Sequence, residues 1–506
     1  MVAKTFSIGV QGYDVFLTEI QVHILNGLPH MQIVGLGDSA VKESKDRIRS
    51  SIINSGYNYP MKQIIVNLAP TEKPKSGSIY ELAIATAILL ATGQLNMQCD
   101  PRTSILLGSL SLDGTIVSSK GMVQAAMFFL NDKKYQQLFV PKQSLELLKN
   151  LPGLKLLPIE NLAHLASPIK EKTTQLGDFM NHKDKVVNFD IDLKMIRGQQ
   201  KAKRALAYCA IGHHHMLLIG EPGSGKTMLA RGLRSILPDM TFIEALETSK
   251  IYSAAGLMHG DLITTRPFRN PHHTTSEISL VGGGKPVTPG EVSLAHNGIL
   301  FMDELLEFNN RALQAMREPL EEKKITISRI GEKLSLPAKF TLIAATNPCS
   351  CGFLGSLKKN CVCNQQRKNR IFMKLAGPLA DRISFEVETE VNESNSLFSV
   401  TEEKPSWVWK SKVEEARRRM FKRNQGIANA ELPSDKAINF VSNLTLSKTI
   451  IEDYVKRFGF SQRKMLQILK SLLSIMDYHE ESKITESMIH EAFSFRAMYF
   501  YQRKAS

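Results

Sequence analysis

Residues Gly220 to Thr227 carry the spacing of a phosphate-binding loop. They read Gly-Glu-Pro-Gly-Ser-Gly-Lys-Thr and directly follow the apolar run Met216 to Ile219. Glycines let such a loop curl until its backbone N–H groups point at phosphate oxygens, and the N-terminus of the following helix adds partial positive charge. Lys226 would contact the β- and γ-phosphates, and Thr227 would offer its hydroxyl to Mg²⁺. The sequence therefore predicts an ATP-binding site made of Gly220, Glu221, Pro222, Gly223, Ser224, Gly225, Lys226 and Thr227.

Two carboxylates and an amide could complete hydrolysis at this loop. The apolar run Ile299 to Met302 ends in Asp303, which suits Mg²⁺ binding, and Glu304, which suits polarising the attacking water. An Asp-Glu pair after a strand is often only a solvated strand end, but its pairing with the phosphate loop favours the catalytic role. Asn347 ends a later apolar run and could hold the water or the γ-phosphate. A simple Asn-Pro turn is the alternative.

Two arginines further along could stabilise the transition state. Arg382 ends the run Gly-Pro-Leu-Ala-Asp-Arg and stands where a neighbouring subunit's nucleotide could be met. An arginine supplied by a neighbour stabilises the charge that develops during phosphoryl transfer. A surface salt bridge with Asp381 is the alternative role. Arg463 lies at the start of a C-terminal helix and could reach the γ-phosphate from a helical lid.

Four of the six cysteines crowd into one short segment. In a reducing compartment such a cluster is more often metal-binding than disulfide-forming. Its two C-x-C pairs provide enough thiolates for a tetrahedral site, and zinc suits four thiolates best. Free thiols are the alternative, because C-x₂-C is the commoner spacing in zinc sites. The candidate zinc ligands are Cys349, Cys351, Cys361 and Cys363, whereas Cys99 and Cys209 are expected to be small buried hydrophobes.

The elements that must position these side chains alternate along the middle of the chain. Between residues 193 and 390, helical segments alternate with short apolar strands, a pattern typical of a parallel sheet covered by helices. Residues 1–169 mix strand-like and helical runs and predict an α+β domain, whereas residues 406–506 are predicted to be helical. The polar stretches 170–192 and 391–405 are predicted to be linkers. The expected fold class is therefore α/β with a parallel central sheet.

Composition narrows the partners and the compartment. The chain has 64 basic and 49 acidic residues, a net charge of +15, which favours a polyanionic partner; a generally basic proteome is the alternative. The longest uncharged apolar stretch, Leu82 to Thr92, is too short to span a bilayer. The first residues lack the apolar core of a signal peptide. We therefore expect a cytoplasmic location and no membrane association.

The order of these motifs resembles that of AAA+ ATPases. The blocks Arg266 to Ser276, Pro289 to Gly298 and Asn347 to Gly352 are similar to the Mg-chelatase-like proteins of the ComM/YifB type, and the similarity extends over nearly the whole chain. The resemblance implies an AAA+ core with a C-terminal helical lid, forming a homohexameric ring with ATP and Mg²⁺ at its subunit interfaces. It also implies a DNA-dependent motor, linked in the ComM branch to branch migration during natural transformation.

Two insertions could face DNA in such a ring. Residues 323–333 alternate polar and apolar side chains around a glycine and predict a β-hairpin. Residues 272–285 contain a triple glycine and the pair His272-His273, which could bind metal, position the loop or face DNA. Contacts from basic residues here would bind phosphates without reading sequence, with solvated surface charge as the alternative. The candidate DNA contacts are Lys285, Lys324, Arg329 and Lys333.

The N-terminal segment, residues 1–169, resembles the Lon protease fold but departs from its catalytic pattern. Ile79 stands at the position of the nucleophilic serine, and Ser78 falls one place early. Val123 stands at the position of the catalytic lysine. A Ser–Lys dyad needs both partners within hydrogen-bond reach. The domain is therefore expected to be a non-proteolytic scaffold or substrate collar.

Two functions of different classes remain open on these residues. The first is an ATP hydrolase that works as a ring-forming DNA helicase or translocase and drives branch migration. The second is a chelatase-type remodelling motor that acts on a protein or metal-insertion partner without DNA. The net charge and the basic hairpin favour the first, and most of that choice depends on the resemblance. ATP hydrolysis that is stimulated by DNA and falls steeply with salt would distinguish them.

Overall fold

The computed structural model describes the chain as an α/β protein with two large sheets. The described residues are 2–11, 13–132, 134–149, 151, 153–174, 189–258, 262–284, 287–329, 332–356, 359–375, 379–390, 403–442, 445–497 and 501. The central sheet is parallel throughout its described ladders, as the sequence predicted.

The N-terminal sheet is mixed. The strands of this part of the chain are β1 (Val2–Gln11), β2 (Asp14–Leu25), β3 (His30–Val34), β4 (Gln63–Ala69), β5 (Ser104–Leu106), β6 (Ser109–Leu110), β7 (Ile116–Val117), β8 (Gln137–Pro141), β9 (Lys155–Ile159) and β10 (Lys172–Thr173). Over the described residues the sheet has the order β10-β9-β8-β5-β1-β2-β4-β3, and β6 pairs separately with β7. β1 and β2 are antiparallel along their whole length, from Val2 opposite His23 to Gln11 opposite Asp14.

A helix that is buried at every residue except Leu90 forms the centre of this N-terminal unit. The helices here are α1 (Ser39–Asn54), α2 (Glu81–Ala91), α3 (Met122–Asn131) and α4 (Leu145–Leu148). α2 is apolar on every face and packs against β1 and β2, which is why its sequence shows no amphipathic stripe. Ile79 and Val123 are both buried in the same core.

Ordered structure extends further into the predicted linkers than the sequence indicated. Lys172–Thr173, inside the predicted linker 170–192, pairs with β9 as an edge strand, so the N-terminal sheet continues past residue 169. Residues 175–188 lie outside the described residues. In the second predicted linker, 391–405, Glu403 forms a 2.7 Å ion pair with the buried side chain of Lys203. The buried charge of Lys203 requires a partner of opposite charge. The sequence of residues 391–405 alone does not indicate this requirement.

The strands described in the central part of the chain belong either to one parallel sheet or to one of two separate ribbons. They are β11 (Met216–Gly220), β12 (Phe268–Arg269), β13 (Gly282–Gly283), β14 (Thr288–Pro289), β15 (Ile299–Met302), β16 (Lys324–Arg329), β17 (Glu332–Pro337), β18 (Thr341–Thr346) and β19 (Phe385–Thr389). Across the described part of the chain the sheet has the order β12-β15-β18-β11-β19. The ribbons β13–β14 and β16–β17 pair outside it. All the carboxyl ends of the parallel strands therefore meet at one edge.

The helices of the central and C-terminal parts pack on this sheet and on each other. They are α5 (Gln200–Gly212), α6 (Lys226–Ile236), α7 (Phe242–Ala254), α8 (Glu277–Val281), α9 (Glu291–Leu294), α10 (Asn310–Ala315), α11 (Arg317–Glu322), α12 (Gln365–Leu375), α13 (Ser406–Arg423), α14 (Ser434–Ser442), α15 (Thr445–Phe458), α16 (Gln462–His479) and α17 (Glu486–Ser494). On α16 an apolar stripe of Leu469, Leu472, Leu473 and Met476 is buried, and Leu466 is half-buried. No helix within the described ranges has both the length and the apolarity to cross a bilayer.

Helix α7 joins the N-terminal unit to the central domain. Its Ala245 belongs to the N-terminal hydrophobic core, and α3 packs against it. The Gln124 side chain on α3 donates to the carbonyl oxygen of Lys250 at 3.3 Å and accepts from Ser253 Oγ at 2.8 Å. The two sheets are therefore connected by a packed helical contact as well as by the chain between them.

Two histidines connect the amino end of β11 to the C-terminal helix α16 and to β18. His214 lies between Ser474 Oγ at 2.8 Å and Ser384 Oγ at 3.1 Å, and His215 Nδ1 accepts from the Leu342 backbone N–H at 3.1 Å. Burial lowers the pKa of His214 to about 3 and that of His215 to about 4, both well below the ordinary 6.5. Both side chains are therefore neutral in the folded protein at neutral pH.

This junction should make stability fall as the pH is lowered. The folded state resists protonation down to the lowered pKa values, whereas the unfolded state takes up protons near pH 6.5, so the contribution is complete above pH 6.5 and is lost below it. Each histidine should cost about 2 kcal/mol between pH 6.5 and 5. Urea unfolding followed by the fluorescence of Trp407 and Trp409 should show a falling midpoint, with a weaker fall in His214→Asn. A midpoint unchanged between pH 7 and 5 would contradict this account.

Candidate functional site

The phosphate loop connects the carboxyl end of β11 to the start of α6. Gly223 and Gly225 have φ angles of 79° and 84°, in the left-handed region that favours glycine. At Gly220 an added Cβ would lie 2.0 Å from Thr389 Oγ1, so β19 leaves no room for a side chain there. The glycine spacing is thus required by the backbone of the loop, and the predicted strand–loop–helix context is present.

Lys226 lies at the centre of the predicted site. Its Nζ donates to the carbonyl oxygens of Gly220 and Glu221, each at 2.8 Å, and to Asn347 Oδ1 at 3.2 Å. Burial lowers the pKa of Lys226 from its ordinary value, and nearby carboxylates partly oppose this effect. The fold therefore brings Lys226, which follows β11, into contact with the side chain of Asn347, which follows β18.

The predicted Mg²⁺ ligands also meet. Thr227 Oγ1 donates to Asp303 Oδ2 at 3.2 Å, between the first turn of α6 and the end of β15. A hydroxyl and a carboxylate are hard oxygen donors of the kind that Mg²⁺ takes, usually together with water and phosphate oxygens. The donor set at Thr227 and Asp303 fits Mg²⁺, which would neutralise phosphate charge when bound.

Glu304 is held in an unusual backbone conformation beside a histidine. Its φ angle is 48°, in the left-handed region, and its N–H donates to Asp303 Oδ1 at 2.9 Å. Its Oε2 lies 3.3 Å from His273 Nδ1, and the His273 ring lies 4.1 Å from that of His272 between centroids. Strained backbone of this kind concentrates at functional sites. The contact with Glu304 was not predicted, because it depends on β12 lying next to β15.

The two predicted arginines meet each other. Arg382 Nη2 donates to Glu321 Oε1 at 2.5 Å, and Arg463 Nη2 donates to the same oxygen. The predicted alternative to a catalytic role was a salt bridge with Asp381, whereas the ion pair found here joins Arg382 to Glu321. We refer to Lys226, Thr227, Asp303 and Asn347 as the phosphate-loop half of the expected site, and to Arg382 and Arg463 as its arginine half.

Gln199 adjoins the phosphate loop and was not singled out in the sequence. Its φ is 54°, and its buried side chain donates from Nε2 to the Ser224 carbonyl at 3.3 Å and to the Glu390 carbonyl at 2.5 Å. It therefore fixes the loop against the segment that follows β19. The consecutive left-handed residues Gly198 and Gln199 mark a sharp turn, but only the Gly of that pair is a signal in the sequence.

The four clustered cysteines converge as predicted. Their Sγ atoms all lie within 4.8 Å of one another, with Cys349 Sγ at 3.3 Å from Cys351 Sγ and 3.7 Å from Cys361 Sγ. Tetrahedral zinc with four thiolates separates its sulfurs by about 3.8 Å. The backbone N–H of Leu354 points at Cys349 Sγ at 3.2 Å, and that of Cys351 points at Cys363 Sγ at 3.4 Å. The donor set and its size fit zinc, which would supply structural cross-linking when bound.

This cysteine cluster packs against the nucleotide site. Cys349 follows Asn347 by two residues. An added Cβ at Gly352 would lie 2.7 Å from Pro222 Cδ, so the cysteine loop and the phosphate loop touch with no room for a side chain between them. A metal that orders the cysteine loop would therefore order two parts of the nucleotide site at once.

The predicted hairpin is present and is longer than expected. β16 and β17 pair from Lys324 opposite Pro337 to Arg329 opposite Glu332, so the ribbon continues past Lys333. Lys324 lies at the base with an exposed side chain, and the register places Arg329 and Lys333 towards the tip. Lys285, predicted in the other insertion, lies outside the described residues.

Comparison with known proteins identifies the family. Family models described as Magnesium chelatase, subunit ChlI, as Subunit ChlI of Mg-chelatase and as Magnesium chelatase, subunit ChlI C-terminal match residues 192–397, 20–144 and 403–496. YifB of Escherichia coli, itself described as uncharacterized, is 36% identical over 95% of this chain and 94% of its own length. The chain belongs to the Mg-chelatase-like family. Competence protein ComM of Haemophilus influenzae, another relative within this family, is 34% identical over 98% of this chain and 97% of its own.

Membership of the Mg-chelatase-like family agrees with the geometry of the phosphate-loop half. The central family model covers the phosphate loop, Asp303, Asn347, the cysteine cluster and Arg382. A more distant relative, the magnesium-chelatase 67 kDa subunit of Heliobacterium mobile, is 24% identical over 46% of this chain and 37% of its own length. The family favours an ATPase that uses ATP and Mg²⁺.

The cysteine cluster should hold metal in the purified protein. Protein prepared without chelator should contain about one zinc per chain, since four converging thiolates form a closed structural site. Replacing two ligands, in Cys351→Ser with Cys361→Ser, should lower the zinc content severalfold, whereas Cys99→Ser should leave it unchanged because Cys99 lies outside the cluster. Elemental analysis by mass spectrometry measures this. A wild-type content well below one zinc per chain would contradict the assignment.

Proposed function

We propose that the chain is an ATP hydrolase that works as a homohexameric ring on DNA, as a helicase or translocase that drives branch migration. The observation that carries the ATPase part is the convergence of Lys226 on Asn347 and of Thr227 on Asp303 at one sheet edge. In phosphoryl transfer the protein supplies positioning and charge stabilisation, and both contacts are of that kind. We also propose a cytoplasmic location.

In the proposed reaction each residue has a separate task. Lys226 and the loop N–H groups bind the phosphates of ATP, and Asn347 orients the γ-phosphate or the attacking water. Glu304 accepts a proton from that water as its oxygen bonds to the γ-phosphorus and the bond to the leaving ADP oxygen breaks. His273, 3.3 Å from Glu304, holds this carboxylate before the nucleotide arrives.

The ring is supported by the meeting of the two predicted arginines at one carboxylate, which places them as a pair. Arg382 and Arg463 cluster on Glu321, and both would complete the nucleotide site of an adjacent subunit. A closed ring of identical subunits repeats one head-to-tail interface, so each subunit can give its arginines to one neighbour and receive them from the other.

A role on DNA is supported by three separate features. The net charge is +15, the ribbon β16–β17 carries Lys324, Arg329 and Lys333, and one relative is named a competence protein. We propose that Lys285, Lys324, Arg329 and Lys333 bind phosphates of single-stranded or branched DNA, which would make affinity strongly salt-dependent.

The flanking parts have proposed roles as well. The N-terminal unit would be a Lon-like scaffold without protease activity, a role favoured by the burial of Ile79 and Val123 in its core. The helical segment that begins at α13 would act as the lid of the nucleotide site. A remodelling motor of the chelatase type, acting on a protein or metal-insertion partner, is the second candidate, and the family models named for magnesium chelatase favour it.

Steady-state phosphate release with and without forked DNA tests the proposal. We expect DNA to raise the rate at about 50 mM salt and the stimulation to vanish near 200 mM, because DNA contacts release counterions.

Variants test the individual residues. Lys226→Ala should abolish nucleotide binding, and Glu304→Gln should bind ATP while hydrolysing it at least about 100-fold more slowly. Arg329→Ala with Lys333→Ala should weaken stimulation, unlike Lys62→Ala in the N-terminal unit.

The outcomes separate the two candidates. Hydrolysis that requires Lys226 but ignores DNA at every salt concentration would contradict the DNA motor and favour the remodelling motor. Full hydrolysis by Glu304→Gln would contradict the proposed chemistry itself.

A further inference from the structure

One carboxylate oxygen joins two arginines that come from distant parts of the chain. Glu321 lies on α11, Arg382 ends the 3₁₀ turn Ala380–Arg382, and Arg463 lies in the first turn of α16. Both guanidinium groups donate to Glu321 Oε1. The Arg382 side chain is only 11% exposed and that of Arg463 is 49% exposed. The pair therefore presents one nearly buried and one accessible cation around a single anion.

Two guanidinium groups this close repel each other unless an anion lies between them. Unit charges a few ångströms apart interact strongly near a protein surface, where water screens them incompletely. Hydrogen bonding from Arg463, followed by the influence of Arg382, lowers the pKa of Glu321 from its ordinary value, so its charge persists at neutral pH. The cluster keeps a net charge of one cation and can still attract a phosphate.

Further contacts hold helix α11 in place. Glu318, one turn before Glu321, accepts through Oε1 from the Thr326 N–H of β16 at 2.9 Å. Lys323, just after α11, forms a 2.9 Å ion pair with Glu431. Glu321 therefore projects from a short helix that is held between the hairpin and the C-terminal part of the chain, which gives the arginines a rigid reference point.

We propose that Glu321 is a positioning residue that holds Arg382 and Arg463 together for the γ-phosphate of a nucleotide bound by the adjacent subunit. This inference rests on the proposed ring, because it is there that the arginines meet a nucleotide. Glu321 acts through the arginines and does not itself contact ATP. Preorganised charges stabilise a transition state without reorganising as it forms, and a pair held by one carboxylate is preorganised.

Glu321→Gln tests the role of the charge, since it keeps the shape and one acceptor oxygen. We expect kcat for ATP hydrolysis to fall about tenfold with KM for ATP unchanged, because Lys226 and its loop are untouched. Glu321→Asp keeps the charge on a shorter side chain and should recover part of the rate. Glu322→Gln is the matched control with the rate of wild type, because the Glu322 side chain is 63% exposed and lies 3.9 Å from Lys324.

A double-mutant comparison separates positioning from a structural role. In the background Arg382→Ala with Arg463→Ala, Glu321→Gln should cause no further loss, since the groups through which it acts are gone. A further tenfold loss in that background would overturn the inference, and so would a wild-type kcat in Glu321→Gln. A wild-type rate of ATP hydrolysis in Arg382→Ala alone would instead contradict the proposed nucleotide site shared between subunits, on which the inference about Glu321 rests.

Discussion

The parallel alignment of β11, β15 and β18 is the constraint on which the rest of the site depends. Their ladders set Ile219 opposite Thr346 and Met302 opposite Ala344, so that all three strands end at one edge. The phosphate loop, Asp303 and Asn347 each follow directly on one of these ends. A shift of one strand by a single residue would turn its side chains to the opposite face and separate the contacts between Lys226, Asn347, Thr227 and Asp303. In open parallel sheets, ligands bind at the edge where the carboxyl ends of the strands meet.

Packing around that edge stabilises the loop from two further sides. Gln199 holds the Ser224 carbonyl against the end of the sheet, and the cysteine loop contacts Pro222 through the surface of Gly352. These contacts need the backbone conformations that the sequence supplies there, a left-handed turn at Gln199 and a glycine without a side chain. The phosphate-loop half is therefore a packed unit. The arginine half, centred on Glu321, is built from the helices and turns beyond the sheet.

Local patterns predicted which side chains meet at the sheet edge, because the motifs are contiguous and each follows an apolar strand. The cysteine cluster could be predicted too, since the short spacing leaves its thiols little freedom to separate. What could not be predicted depends on neighbours across the fold. His273 reaches Glu304 only because β12 pairs with β15, and Glu321 joins two arginines that lie 61 and 142 positions away. The edge strand at Lys172–Thr173 was not predicted because it is short and polar. It forms by pairing with β9, which the local sequence does not indicate.

We propose that one chain carries halves of two different nucleotide sites, one around Lys226 and one around Arg382. Mixing Lys226→Ala with Arg382→Ala and measuring ATP hydrolysis tests it directly. Each variant alone should hydrolyse ATP far more slowly than wild type, and an equal mixture should regain activity because about a quarter of the interfaces in random rings would combine an intact loop with an intact arginine. A mixture that stays inactive, although both variants assemble with wild-type chains, would contradict the shared site.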